Sequence, residues 1–253
     1  MRLLLVGDLH YDMRQLDWIV GQAADHDLVV IAGDLLDLAS SVPLEAQVPV
    51  VVRYLERLAR RTATVVCSGN HDLTGRDVHG EKAAAWLAAT AARGVVTDFG
   101  SLVVDGTLVT VCPFWDGPQG RARVDELLAA QSELVHDRWC WVYHGPPPDL
   151  PVSWTGSRSY GDADLGEWIE RWHPDLVLTG HVHQAPVAEG GSWVAQHPAG
   201  SWILNAGRQV GPVPCHIVVD LDAPTADGTA APIARWWSLH ATDERQLVAP
   251  PGR

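Results

Sequence analysis

The 253-residue sequence predicts a mixed α/β fold of two packed sheets with helices outside. Three observations lead there. Five short apolar runs, at residues 3–6, 28–31, 64–66, 141–143 and 176–178, are partly β-branched and flanked by turn residues, which is the pattern of buried strands. Helical apolar spacing follows two of the early strands, with Leu16, Ile19, Val20 and Ala23 in residues 14–24 and Val51, Tyr54, Leu55 and Leu58 in residues 50–60. The last third of the chain turns to short β-rich segments separated by Gly or Pro.

The remaining elements follow in order. Residues 81–92, 121–132 and 164–171 read as further helices. Residues 102–104 and 108–111 flank Asp105-Gly106, a hairpin signal. Residues 192–195, 201–204, 214–219 and 234–240 read as strands. The Pro- and Gly-rich stretch 145–161 is long for a connector and is expected to be one functional loop. A single domain over residues 1–247 is expected, with a frayed tail at 248–253.

Composition excludes several classes. The net charge is −13, with 18 basic against 31 acidic residues, which disfavours extended nucleic acid as a partner because that affinity comes from neutralising phosphates. Cys67, Cys112, Cys140 and Cys215 are widely spaced with no Cys-x-x-Cys pair, so buried free thiols are expected rather than a zinc knuckle or disulfide scaffold. No run approaches the ~20 apolar residues of a membrane span. Little chain precedes the first polar cluster to serve as a leader, so a cytoplasmic location is expected.

Each of the five apolar runs ends in residues that ligate metals or move protons: Asp8-Leu9-His10, Gly33-Asp34, Gly69-Asn70-His71-Asp72, His144, and Gly180-His181-Val182-His183. Singly these are weak signals, since Gly-Asp after a strand is usually a turn. Together they are strong, because side chains leaving the carboxyl ends of strands in an α/β sheet converge on one crevice.

In these five clusters, Asp8 to His183, the chain resembles the calcineurin-like metallophosphoesterase superfamily. His144-Gly145-Pro146-Pro147 and Asn205-Ala206-Gly207-Arg208 are similar to elements of its small bacterial and archaeal members. The resemblance implies a four-layer α/β/β/α sandwich. It also implies two divalent ions, one held by Asp8, His10 and His183, the other by Asn70, His144 and His181, with Asp34 bridging and His71 beside the leaving group. Four histidines among the ligands suit manganese, the favoured metal, or Fe, Zn, Ni or Co, better than an all-oxygen Mg or Ca cage. The implied reaction is phosphoester hydrolysis by a metal-bridging hydroxide, with His71 as proton donor.

Departures narrow the class. Asp37 stands where purple acid phosphatases have a tyrosine, and the Asp-Arg-Gly of the Ser/Thr protein phosphatases is replaced by Asp37-Leu38-Ala39. The expected substrate is therefore a small phosphodiester, a nucleotide or cyclic nucleotide being favoured. A compact nuclease and an inactive binding scaffold of the same fold are the alternatives. Arg158 and Arg208 are candidate phosphate clamps and Trp154 a candidate ring-stacking residue. Tyr160, Trp193 and Trp202 lie in segments able to approach the site, and His79 and His197 are expected near the cleft edge. Oligomeric state leaves no trace in the sequence.

Overall fold

The structure, a computed structural model, describes residues 1–224 and 230–248. The first half of the chain runs β1 (Arg2–Val6), α1 (Met13–Gln22), β2 (Leu28–Ala32), α2 (Leu44–Ala59), β3 (Ala63–Cys67), β4 (Gly75–Arg76), β5 (Lys82–Ala83), α3 (Ala85–Ala88), β6 (Val95–Val96), β7 (Ser101–Val104) and β8 (Thr107–Val111). The second half runs α4 (Pro118–Ser132), β9 (Arg138–Val142), α5 (Ala163–Trp172), β10 (Leu176–Thr179), β11 (Val194–Gln196), β12 (Trp202–Asn205), β13 (His216–Pro224), β14 (Ala230–Trp237) and β15 (Thr242–Gln246).

Two mixed sheets result. The first has the order β15-β14-β13-β1-β2-β3-β6, the second β11-β12-β10-β9-β8-β7, and β4 and β5 form a small separate pair. In the first sheet β1, β2 and β3 are parallel neighbours, and in the second β9, β10 and β12 are. Parallel neighbours end at the same side of a sheet, so the polar clusters that follow β1, β2, β3, β9 and β10 are brought to one edge.

Side-chain alternation explains the layering. Leu3, Leu5, Leu28 and Val30 face Cys140, Val142, Leu176 and Leu178 across the space between the sheets. The alternate residues Leu4, Val6, Val29 and Ile31 pack under Leu16 and Ile19 of α1 and Val51 and Leu55 of α2. On the other side Trp139, Trp141 and Val177 pack under Val124 and Leu128 of α4 and Leu165 and Ile169 of α5. Strands buried on both faces must be apolar throughout, which is why they read as continuous runs in the sequence. The four-layer order expected from the resemblance is the observed one.

Two expectations change and one strand is added. Helix α2 begins at Leu44, earlier than the apolar spacing indicates, because Pro49 interrupts the pattern that only becomes regular from Val51. Residues 81–92 do not form one helix. Glu81 instead accepts hydrogen bonds from the Gln119 and Gly120 amides at the start of α4, and residues 82–93 break into β5, the single turn of α3 and a 3₁₀ turn (Ala91–Arg93). Strand β15 has no signal in the sequence because Thr242-Asp243-Glu244-Arg245-Gln246 is wholly exposed and polar, as suits an edge strand that must not recruit another chain. The expected hairpin at Asp105-Gly106 forms, with both residues at positive φ (46° and 74°) as a primed turn requires. All four cysteines are buried and free. The expected tail, from residue 249 onward, lies outside the described residues.

The two-sided burial yields a stability prediction. Leu5→Ala should cost about 2–5 kcal/mol, the range for a core leucine, while Val103→Ala at an exposed position should stay within about 0.5 kcal/mol. Urea denaturation midpoints of the two variants check the difference.

Candidate metal centre

The backbone at the strand ends is bent sharply to deliver its side chains. Asp8 (φ 54°), His10 (φ 43°), Asp34 (φ 54°) and His181 (φ 68°) are all left-handed, a conformation that costs a non-glycine residue on the order of 1 kcal/mol or more. Backbone bonds between loops hold it: the Asp8 amide donates to Gly33 O (3.1 Å), and the His10 amide to Asp34 O (2.9 Å). Two glycines permit the approach. A Cβ on Gly33, itself at φ +80°, would lie 2.6 Å from His144 Nδ1, and a Cβ on Gly69 would collide with the carboxylate and amide nitrogen of Asp34.

The two sheets are then tied across their carboxyl ends. His144, after β9, hydrogen-bonds through Nδ1 to the carbonyl of Ala32 in β2 at 2.7 Å. The His181 amide, after β10, donates to the Asp8 carboxylate after β1 at 2.9 and 3.1 Å. The His71 amide donates to Asp34 Oδ1 at 2.9 Å.

What converges is a set of lone pairs. His183 Nε2 lies 3.1 Å from Asp8 Oδ1 and 3.2 Å from His10 Nε2. His144 Nε2 lies 3.1 Å from Asn70 Oδ1, 3.1 Å from His181 Nδ1 and 3.3 Å from Asp34 Oδ2. Asp34 Oδ2 stands between the groups, 3.7 Å from His10 Nε2. Since the carbonyl of Ala32 takes the Nδ1 proton of His144, its Nε2 offers a lone pair to two oxygens that also have only lone pairs to offer. Such an arrangement repels itself unless a proton or a metal ion sits among the atoms. Nitrogen and oxygen ligands about 2.0–2.2 Å from one ion stand roughly 3.0–3.5 Å apart, and these separations match. Asp8, His10, Asp34 and His183 form one grouping able to hold a metal, and Asp34, His144 and His181 another.

Electrostatics agree. Burial lowers His10 and His181 to about 4, against the pull of Asp34 and Asp8, so both imidazoles are neutral at pH 7. Burial opposes charge on His144 too, but Asp34 and Asp8 prevail and raise it to about 9. Burial likewise works against the Asp34 carboxylate, and His144 with the His71 amide outweighs it, holding Asp34 well below the usual range. At neutral pH a proton and a metal cation therefore compete for His144 Nε2.

With this geometry in hand, comparison with known proteins is informative. Residues 1–185 match the calcineurin-like phosphoesterase family. The chain belongs to that family. It is therefore a member of a group of metal-dependent phosphoester hydrolases, and the matched segment ends just beyond His183. Its fold is similar to that of a dimetal phosphatase from Danio rerio (TM-score 0.54, 10% identity, 98% of this chain and 97% of that one). It is also similar to a hypothetical protein from Thermus thermophilus (TM-score 0.52, 15% identity, 99% and 100%). At these identities the likeness is one of fold. No curated protein matches the sequence. Among the described residues no helix is long and apolar enough to cross a membrane.

The other candidates of this phosphoesterase separate clearly. His71 packs edge-on against His10, ring centroids 4.5 Å apart, with Nε2 3.9 Å from Asp34 Oδ2. Arg208 reaches the site, donating from Nε to the carbonyl of Asp8 at 3.2 Å. Arg158 lies over the Tyr160 ring at 5.4 Å, and Tyr160 packs on His181 at 5.1 Å. Trp154 donates from its indole to Glu189 O at 2.9 Å and is not among the residues that line the cleft beside His181. Trp193 donates to Asp243, while Trp202 lines a separate cavity of about 260 Å³ at the opposite end of the sandwich. His197 sits in the turn between β11 and β12, also at that far end, and His79 is exposed in the β4–β5 turn.

Two contributors escape a reading of the sequence. Asp72 closes the Gly-Asn-His-Asp cluster, yet the resemblance assigns it no role. Its buried carboxylate accepts from the amides of Leu35, Leu36 and Gly69, joining the loops after β2 and β3. Burial, then repulsion from Asp34, raises it to about 8. Phe114, which packs against His144 (5.6 Å) and His181 (6.0 Å), carries no motif at all. Asn205 is explained as a brace, donating to the carbonyls of Val152 and Val182 while accepting from the Gly207 amide.

Two outcomes are expected. Gly69→Ala should strip metal and lower the thermal midpoint, while Gly21→Ala, where a Cβ meets nothing within 4 Å in α1, should stabilise by about 0.5–1 kcal/mol. Elemental analysis and thermal unfolding distinguish them. Because His144 is protonated below about pH 9, binding of the ion beside it should release a proton, and affinity should rise roughly tenfold per pH unit between pH 6 and 8. Competition titrations against a chromophoric chelator measure that slope.

Proposed function

We propose that this protein hydrolyses a small phosphodiester at a centre of two divalent ions. The observation that carries the reading is the cage of mutually facing lone pairs at the seam of the sheets. In this reading Asp8, His10 and His183 hold one ion, Asn70, His144 and His181 the other, and Asp34 serves both. The grouping of the distances supports that division. When bound, the ions would supply Lewis acidity that polarises the phosphoryl group, acidifies water and offsets transition-state charge. Imidazole and carboxylate donors fit manganese, iron, zinc, nickel or cobalt.

The chain's own residues do the rest. The Leu38 amide approaches His71 Nδ1 (3.4 Å), which leaves Nε2, 3.9 Å from Asp34 Oδ2, as the nitrogen facing the centre. From there His71 can protonate a departing ester oxygen. The Arg208 guanidinium, anchored on Asp8 O, places positive charge where phosphoryl oxygens would arrive. Asp72 orients the backbone on which Asp34 and Asn70 are mounted.

The reading is tested by reconstituting the protein with each metal and comparing nitrophenyl mono- and diesters, then nucleotides and cyclic nucleotides. Failure with every metal and ester overturns it. Asp34→Asn should deplete both ions and nearly abolish turnover; two ions per chain with full activity would refute the shared-ligand assignment. His71→Ala should keep its metal content and lose roughly 10²–10⁴-fold in rate on an ester with a poor leaving group, and much less on a nitrophenyl ester. Loss of metal from that variant would make His71 a ligand instead of a proton donor.

A further inference from the structure

The centre is not symmetrical. On its Asn70 and His181 side lies a cleft of about 520 Å³, within the size range of small-molecule sites, whose lining apart from two glycines and an alanine is Asn70, Phe114, Trp115, Tyr160, Asp162 and His181. Three of those six side chains are large aromatic rings, and each is braced from outside the cleft or against a site histidine. Phe114 stacks on buried Tyr143 (6.2 Å, 10°), Trp115 packs edge-on against Trp168 (6.4 Å), and Tyr160 lies tilted 30° on His181. Tyr160 nevertheless keeps 49% of its surface exposed. The one acid in the lining is already committed: Asp162 accepts from the Tyr143 hydroxyl and from the Asp164 and Leu165 amides that begin α5. The cleft thus offers braced aromatic surface.

His71 lies on the His10 side: it packs edge-on against His10, forms a third possible grouping with His10 and Asp37, and is not among the residues that line the cleft. A group leaving phosphorus must depart next to its proton donor. A ring held among Phe114, Trp115 and Tyr160 therefore cannot be on the leaving group.

We propose that this cleft selects the ester that stays on phosphorus: the substrate is a phosphodiester whose retained ester carries a planar aromatic ring, and the product is that ring's phosphomonoester. The inference rests on the phosphodiesterase reading above. In the reaction, the oxygen of water forms the new P–O bond. The P–O bond on the His71 side breaks, its electron pair goes to the departing oxygen, and that oxygen takes the proton from His71 Nε2. One proton of the water stays with the new phosphomonoester and the other returns to His71 Nε2, so one water and one diester give one aryl or nucleoside phosphomonoester and one alcohol.

Two nitrophenyl diesters isolate the retained group, since both release the same nitrophenolate: phenyl p-nitrophenyl phosphate and methyl p-nitrophenyl phosphate. The metal-loaded protein should prefer the phenyl ester in kcat/KM. Tyr160→Ala should reduce that preference roughly tenfold, as expected for loss of one ring contact, and Tyr160→Phe should restore it. Binding of phenyl phosphonate to the metal-free protein, read by calorimetry, should weaken in parallel. With adenosine 5′-(methyl phosphate) the products should be adenosine monophosphate and methanol; cytidine and phenyl analogues show whether the cleft takes a purine, a pyrimidine or any aryl ring. Adenosine plus methyl phosphate, or an unchanged phenyl preference in Tyr160→Ala, overturns the cleft assignment while leaving the phosphodiesterase reading intact. Hydrolysis of neither nitrophenyl diester overturns that reading and this one with it.

Discussion

The structure depends on two hydrogen bonds that cross from one sheet to the other: His144 Nδ1–H to the carbonyl of Ala32, and the His181 amide to the carboxylate of Asp8. Each joins a strand end of the second sheet to a strand end of the first. Each also performs a chemical task. The first leaves the His144 lone pair on Nε2, facing Asp34 and Asn70; the second uses one edge of Asp8 and leaves the other toward His183. Packing of the sheets and formation of the ligand cage are consequently one event, because neither sheet carries a complete set of donors.

That arrangement explains why strained backbone is tolerated. Asp8, His10, Asp34 and His181 hold left-handed conformations with no glycine freedom to relieve them. The strain is over-determined by surrounding bonds: the amides of Asp8 and His10 pair with the loop after β2, and the three amides on Asp72 pair that loop with the one after β3. Strained residues clustered where side chains must converge are the signature of a site whose geometry is set before its ligand arrives. The cage of lone pairs adds a second cost, which a bound cation removes. Metal binding should thus stabilise the fold through mass action.

The charge distribution fits a small substrate. A net charge of −13 repels a long polyanion, yet Arg208 stands next to Asp8 and metal ions outweigh the two carboxylates locally. Capture is then a local matter of the centre and its cleft. His71 stands on one flank of the centre and aromatic rings on the other, and the proposed reaction uses that asymmetry, with departure on the first side and retention on the second.

By itself the sequence determined the buried strands, because a strand covered on both faces is apolar at every position, and it determined which polar side chains leave the strand ends, because each cluster follows its strand directly. Asp8, His10, Asp34, Asn70, His71, His144, His181 and His183 could all be singled out for that reason. Polar or interrupted elements escaped: β15 has no apolar face to betray it, Pro49 masked the start of α2, and Glu81 left its helix to cap another. Only the tertiary structure decided which aromatic ring meets the site. Trp154 and Tyr160 sit on the same loop, and nothing in their local sequence says that one turns to Glu189 and the other to His181. Phe114 reaches the site from the loop after β8, far from any ligand in the chain. Strand patterning is a local property of burial, whereas the lining of a cleft depends on how separate loops pack, and that is settled only when the two sheets meet.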